Sequence, residues 1–157
     1  MFTLSIKDEN KNNMTALEKI LLVVGGIITL CFGVWHFFVP TKFNWFGYIP
    51  SLPSELKRAI EASNFFLSTM LLLLGIVTMY FAINETPEIK IMMILMSMLW
   101  LARTIYQIVK PQGSLVSGLS VMITAVFVLT ASCFIIPLIL TCIKIINGQS
   151  TFINLGK

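Results

Sequence analysis

Seven side chains in this chain are able to bind or react and sit where a bilayer makes them costly: His36, Arg58, Glu61, Asn64, Trp100, Arg103 and Gln107. The densest group lies in the stretch 98–111, MLWLARTIYQIVKP, where Trp100, Arg103 and Gln107 recur at steps of three and four and so share one face of a helix. Arg103 lies about seven residues before the end of that helix, which at 1.5 Å per residue puts its guanidinium roughly 10 Å below the membrane surface. A charge at that depth is expensive and marks a functional site by default. Arginine offers a planar fork of donors suited to phosphate or carboxylate, and histidine donates or accepts a proton near neutral pH. The chemistry these types suggest is capture of a polar head inside an apolar bundle.

The elements that must position them follow from composition. Of the 157 residues, 57% are hydrophobic and 11% charged, and mean hydropathy is +0.89, against roughly 25% charged residues in a soluble domain. Nearly all of the chain is spent on apolar runs of about 20 residues, so any site must be built between helices rather than in a separate soluble domain. The net charge of +4 comes from 11 Lys and Arg against 7 Asp and Glu, dispersed along the chain. Dispersed cations point to anionic headgroups and away from nucleic acid. Cys31, Cys133 and Cys142 form no CxxC and have no histidine at ligand spacing, so neither a zinc site nor a redox dithiol is indicated. Met92, Met93, Met96 and Met98 spread around their helix, a pattern of adaptable packing rather than copper ligation. No cofactor motif is evident, although a quinone would fit an intramembrane pocket.

Taken in order, residues 1–14 read as a polar flexible tail without the short basic region and cleavage site of a secretory signal, so the first apolar run is expected to persist as a span. Thr15 and Glu18 make a capping box for a helix over about 16–39, ending at Pro40. Gly26, Thr29, Gly33 and His36 form a stripe of small residues that ends in the only histidine. The stretch PTKFNWFGYIPSLPS, 40–54, is too apolar for a free loop and too broken for a helix, and it is expected to lie at the interface or fold over the bundle mouth. A second helix, capped by Ser51 or Ser54, covers about 54–83 and carries Arg58, Glu61, Asn64 and Ser68. Arg58 can pair with Glu55 or Glu61, whereas Asn64, deeper in the span, requires an interhelical partner. Thr86 and Pro87 open a third helix over about 87–110, and a fourth runs over about 115–146 with a kink at Pro137, leaving a tail over 148–157.

Four spans with short turns predict an all-α integral membrane four-helix up-and-down bundle with an interfacial aromatic segment between helices one and two. Counting ends then sorts the polar residues. His36, Arg58, Glu61, Arg103, Gln107 and Ser117 fall at one end of the bundle, while the other holds flanking charges such as Lys19, Glu85, Lys90 and Lys144. The termini and second turn carry six lysines, and the polar end carries three Lys or Arg outside the membrane once Arg58 and Arg103 are discounted. That asymmetry places both termini in the cytoplasm.

The strings GVWHFFVPTKFNWF, RAIEASNFF and LWLARTIYQIVKP, over roughly residues 20–111, resemble four-helix bacterial inner-membrane proteins grouped with the DoxX-like families. The resemblance rests on a histidine near the end of helix one, an arginine opening helix two and a Trp-x-x-Arg-x-x-x-Gln pattern in helix three. It implies an inner-membrane accessory of quinone-linked redox complexes, and no catalytic residue carries over from it. From the residues themselves, the expected function is binding the head of a lipid- or quinone-like amphiphile at His36, Arg58, Glu61, Asn64, Trp100, Arg103 and Gln107, in a net positive pocket. The alternatives are a redox or proton-transfer site of a quinone-linked enzyme, with His36 or Glu61 as acid/base, and a structural or accessory subunit of a membrane complex, either of which could involve a partner subunit or a homo-oligomer. A lone histidine excludes bis-His haem ligation within one chain.

Overall fold

The computed structural model describes residues 14–48, 51–114 and 116–155. Its elements are α1 (Ala16–Lys42), a single 3-10 turn (Trp45–Tyr48), α2 (Ser54–Asn84), α3 (Ile89–Val109) and α4 (Leu119–Leu155), with no strand among the described residues. All four helices contain stretches long and apolar enough to cross a bilayer. The chain is an integral membrane protein with an up-and-down four-helix bundle. The expected polar tail falls almost wholly outside the described residues.

Local chemistry explains most of the boundaries. The capping box at the start of α1 forms: the Glu18 amide donates to Thr15 Oγ1 at 3.3 Å, and the Thr15 amide donates to Glu18 Oε2 at 2.6 Å. The expected stop at Pro40 is corrected, since α1 continues to Lys42 with Pro40 inside it. Proline removes one donor, so the carbonyl of His36 loses its intrahelical partner. That carbonyl is taken up instead by α2, as described below. The N-terminus of α2 also differs from expectation, because Pro53 is the N-cap and no side chain caps it. Glu85 ends α2 in the left-handed region, φ 53°, where its own amide and that of Thr86 both donate to the Phe81 carbonyl. Thr86 therefore sits in a turn rather than capping α3, its hydroxyl is buried without a partner, and α3 begins two residues later than expected, at Ile89. Gly113 and Gly118 adopt φ of 82° and 77° in the α3–α4 connection, so α4 starts at Leu119, and it runs on to Leu155 through the expected tail.

α1 lies at the middle of the assembly, packed extensively on α2 and also on α4, while α3 packs on α4 and barely touches α2. In lipid the hydrophobic effect does not favour helix association, so close approach between small residues supplies the attraction. On α2, a Cβ at Gly75 would stand 2.8 Å from both the carbonyl oxygen of Gly26 and the amide nitrogen of Leu30. Farther along α1, a Cβ at Gly33 would stand 2.8 Å from the amide nitrogen of Leu72. The two backbones touch along this seam. Away from it the core is bulky: Leu22, Met93, Met96, Trp100, Phe127 and Phe134 are fully buried.

The end that holds the N-terminus of α1 is held by ions rather than glycines. Lys144 of α4 pairs with Glu18 of α1 at 2.6 Å, and Lys19 of α1 pairs with Glu85 of α2 at 3.2 Å. Glu18 is 1% exposed, and its Oε1 has no hydrogen-bond partner. The expectation that Lys19, Glu85 and Lys144 are ordinary flanking charges is thus corrected. They cross-link three helices, and Lys144 balances a carboxylate that would otherwise be buried unpaired.

Candidate functional site

At the opposite end, where α1 and α3 finish and α2 and α4 begin, a cleft of about 1220 Å³ opens between the helices. Its walls are mostly apolar: Phe32, Trp35 and Val39 from α1, Leu56, Ile60 and Leu67 from α2, and Met122, Ile123 and Val126 from α4. Trp45, from the 3-10 turn, is among the lining residues, so the aromatic segment after α1 contributes directly to the cleft. The volume exceeds the roughly 300–1,000 Å³ of ordinary small-molecule pockets. Polar character comes from a few side chains, chiefly His36, Asn64, Ser63, Arg103 and Gln112.

His36 and Asn64 form a reciprocal pair across the α1–α2 seam. The Asn64 Nδ2 donates to the His36 backbone carbonyl at 3.1 Å, which leaves Asn64 Oδ1 facing the imidazole Nδ1 at 2.8 Å. The carbonyl in question is the one released by Pro40, so a break in one helix is satisfied by the amide of the next. Because Oδ1 can only accept, Nδ1 carries the proton, and in the neutral ring Nε2 is left as an acceptor. Asn64 thus finds the interhelical partner its depth demands and fixes the tautomer of the histidine.

Arg103 is held by a relay that begins at the α3–α4 turn. Gln107 is fully buried. Its Nε2 donates to the Gln112 carbonyl at 3.1 Å and to Ser120 Oγ at 3.4 Å, and its Oε1 accepts from the Gln112 amide at 3.3 Å. With its backbone clasped, Gln112 turns its own side-chain oxygen to accept a hydrogen bond from Arg103 Nη2. The guanidinium lies over the Phe127 ring, 4.8 Å from its centroid, and near Tyr106 at 5.8 Å. Aromatic faces offset part of the charge. Arg103 and His36 line the same cleft.

The structure therefore brings His36, Asn64 and Arg103 together in the cleft and places the other four expected residues elsewhere. Trp100 is buried behind the lining, donating from Nε1 to Thr29 Oγ1 at 3.1 Å and packed edge-on against Phe32. Gln107 is committed to the turn. Arg58 is exposed and paired with Glu55, and Glu61 is exposed and outside the lining, as is Ser117. The reason lies in helix geometry: three-residue steps each fall about 60° short of a full turn, so Arg58 stands roughly 120° around α2 from Asn64. Sequence reasoning missed Gln112, Trp35, Trp45 and Phe127. The aromatic content of 40–54 pointed toward Trp45, whereas nothing local singled out Gln112.

Among the described residues no three His, Cys, Asp or Glu side chains gather at metal-ligand distances. What the cleft offers is one cation, one oriented imidazole and a long apolar wall. Comparison with known proteins finds no family model, no curated protein and no solved structure that matches this chain.

Proposed function

We propose that the cleft binds a lipid- or quinone-like amphiphile, with its head at His36 and Arg103 and its tail against the apolar faces of α1, α2 and α4. The observation that carries this reading is the position of Arg103: a guanidinium inside the span lines a cleft whose remaining surface is mostly apolar. Such polarity at one end and hydrocarbon along the rest matches the shape of an amphiphile. The charge asymmetry of the flanks supports cytoplasmic termini, so the cleft would open in the outer half of the bilayer. The resemblance to DoxX-like proteins supports a bacterial inner membrane and an accessory role beside a quinone-linked complex.

The test is purification in a mild detergent followed by mass spectrometry of co-purifying lipids and quinones, for the wild type and for Ser63→Phe, which places a ring in the cleft. The expected result is a specific amphiphile retained by the wild type and lost from the folded variant. Identical lipid complements in both proteins, in the proportions of the bulk membrane, would refute the reading and favour a structural subunit.

A further inference from the structure

The charges around the cleft narrow the kind of head it accepts. The described carboxylates at this end of the bundle are Glu55 and Glu61, and both are exposed outside the lining. Glu55 already pairs with Arg58. At the other end Glu18 and Glu85 pair with Lys144 and Lys19. Among the described residues no carboxylate lies within ion-pair distance of Arg103. A guanidinium has five N–H donors. The side-chain hydrogen bond of Arg103 goes to a neutral acceptor, Gln112 Oε1. The ring faces of Phe127 and Tyr106 attract the cation without accepting its in-plane donors. A half-buried cation with spare donors and no counter-charge on its own chain is poorly matched to a neutral head.

The second group of the pair points the same way. His36 Nδ1 is engaged by Asn64, so the neutral ring keeps an acceptor at Nε2 and the protonated ring a second donor. Neither form supplies negative charge to balance Arg103. Lys42, Lys57 and Lys110 stand on the same side of the bundle, and Lys57 lies over the Phe46 ring at 5.0 Å from its centroid. The flanks thus add positive potential at the mouth.

We infer that the occupant is an amphiphile with an anionic head, a carboxylate or a phosphate, held by Arg103, and that neutral heads such as a quinone ring or a zwitterionic headgroup bind less well. This inference rests on the reading of the cleft as an amphiphile site and narrows it. Guanidinium pairs with either oxyanion in the same forked geometry, so a fatty acid and an acidic phospholipid share the chemistry.

Trp35 and Trp45 line the cleft and serve as reporters. The full-length protein in phosphatidylcholine nanodiscs is titrated with bromine-labelled acyl chains carrying different heads: a fatty acid, phosphatidylglycerol and phosphatidylcholine. Unlabelled quinone is added as a competitor. Quenching is measured relative to a W35F/W45F protein, which removes the cleft signal and retains Trp100. The expected result is half-quenching by one or both anionic species at a mole fraction about tenfold below that for phosphatidylcholine, the preference of a charge-assisted contact. Whichever anion leads identifies carboxylate or phosphate as the source. Arg103→Gln is expected to abolish the preference, and Arg103→Lys to keep it in weakened form, which also covers the case in which the glutamine variant does not fold. Efficient displacement by quinone, or a preference unchanged in Arg103→Gln, would overturn the inference while leaving amphiphile binding intact, whereas equal quenching by all heads with no displacement by quinone would be bulk-lipid contact with the exposed Trp35 and would remove amphiphile binding as well. Quenching by none of them beyond the W35F/W45F background would remove amphiphile binding itself, and this inference with it.

Discussion

Replacing Asn64 by leucine tests the link between Pro40 and the α1–α2 pair. The substitution removes two interhelical hydrogen bonds, the 2.8 Å contact with the imidazole and the 3.1 Å contact with the His36 carbonyl. Such bonds in a membrane protein average about 0.6 kcal/mol each, with a maximum near 1.7, which sets a loss of about 1–3 kcal/mol. Half of that loss depends on proline, because only the residue at position 40 decides whether the carbonyl has a partner within α1. In a Pro40→Ala background the restored backbone amide at that position can take the carbonyl, and Asn64→Leu should then cost about 1 kcal/mol less than in the wild type. The measurement is a double-mutant cycle from reversible unfolding in mixed micelles, followed by circular dichroism. Sites that do not interact add to within about 0.3–0.5 kcal/mol. A coupling energy below that range would show that the carbonyl freed by Pro40 contributes nothing to holding α2, and the account of the His36–Asn64 pair would fail.

Three further outcomes follow from other contacts. Gly75→Ala should cost about 1–3 kcal/mol in the same unfolding assay, since the new methyl meets the backbone of α1 at Gly26 and Leu30, whereas Gly118→Ala, with open space around it and φ of 77°, should cost only the left-handed penalty of about 1–2 kcal/mol. A Gly75→Ala cost near zero would argue against the tight seam. Lys144→Met strands the Glu18 carboxylate and should destabilise by about 2 kcal/mol, below the roughly 3–5 of a fully buried pair because Lys144 is partly exposed, with much of the loss recovered when Glu18→Gln is added. No recovery in the double variant would show that charge balance is not what Lys144 provides. Trp100→Phe and Thr29→Val should each lose about 1 kcal/mol, and together little more than either alone, because both delete the same 3.1 Å bond.

Length, hydropathy and spacing in the sequence already determined four spans, their alternation and the end of the bundle at which His36, Asn64 and Arg103 lie. These are local properties: a run of apolar residues crosses lipid as a helix whatever its neighbours are, since every backbone polar group must be satisfied within the segment. The capping box at Thr15 and Glu18 is local in the same sense, as is the need of Asn64 for a partner. The tertiary structure alone decided which of the polar residues meet. Arg58 and Arg103 carry the same charge at the same end, yet Arg58 turns outward to Glu55 while Arg103 lines the cleft. Gln107 shares a face with Arg103, but the α3–α4 turn folds over it and converts it from a candidate ligand contact into the clasp that positions Gln112. Glu18 and Lys144, 126 residues apart, become partners only when α1 and α4 pack. Helical periodicity specifies the face on which a side chain stands, whereas what that face meets depends on the rotation and neighbours of whole helices, which no short window of sequence contains.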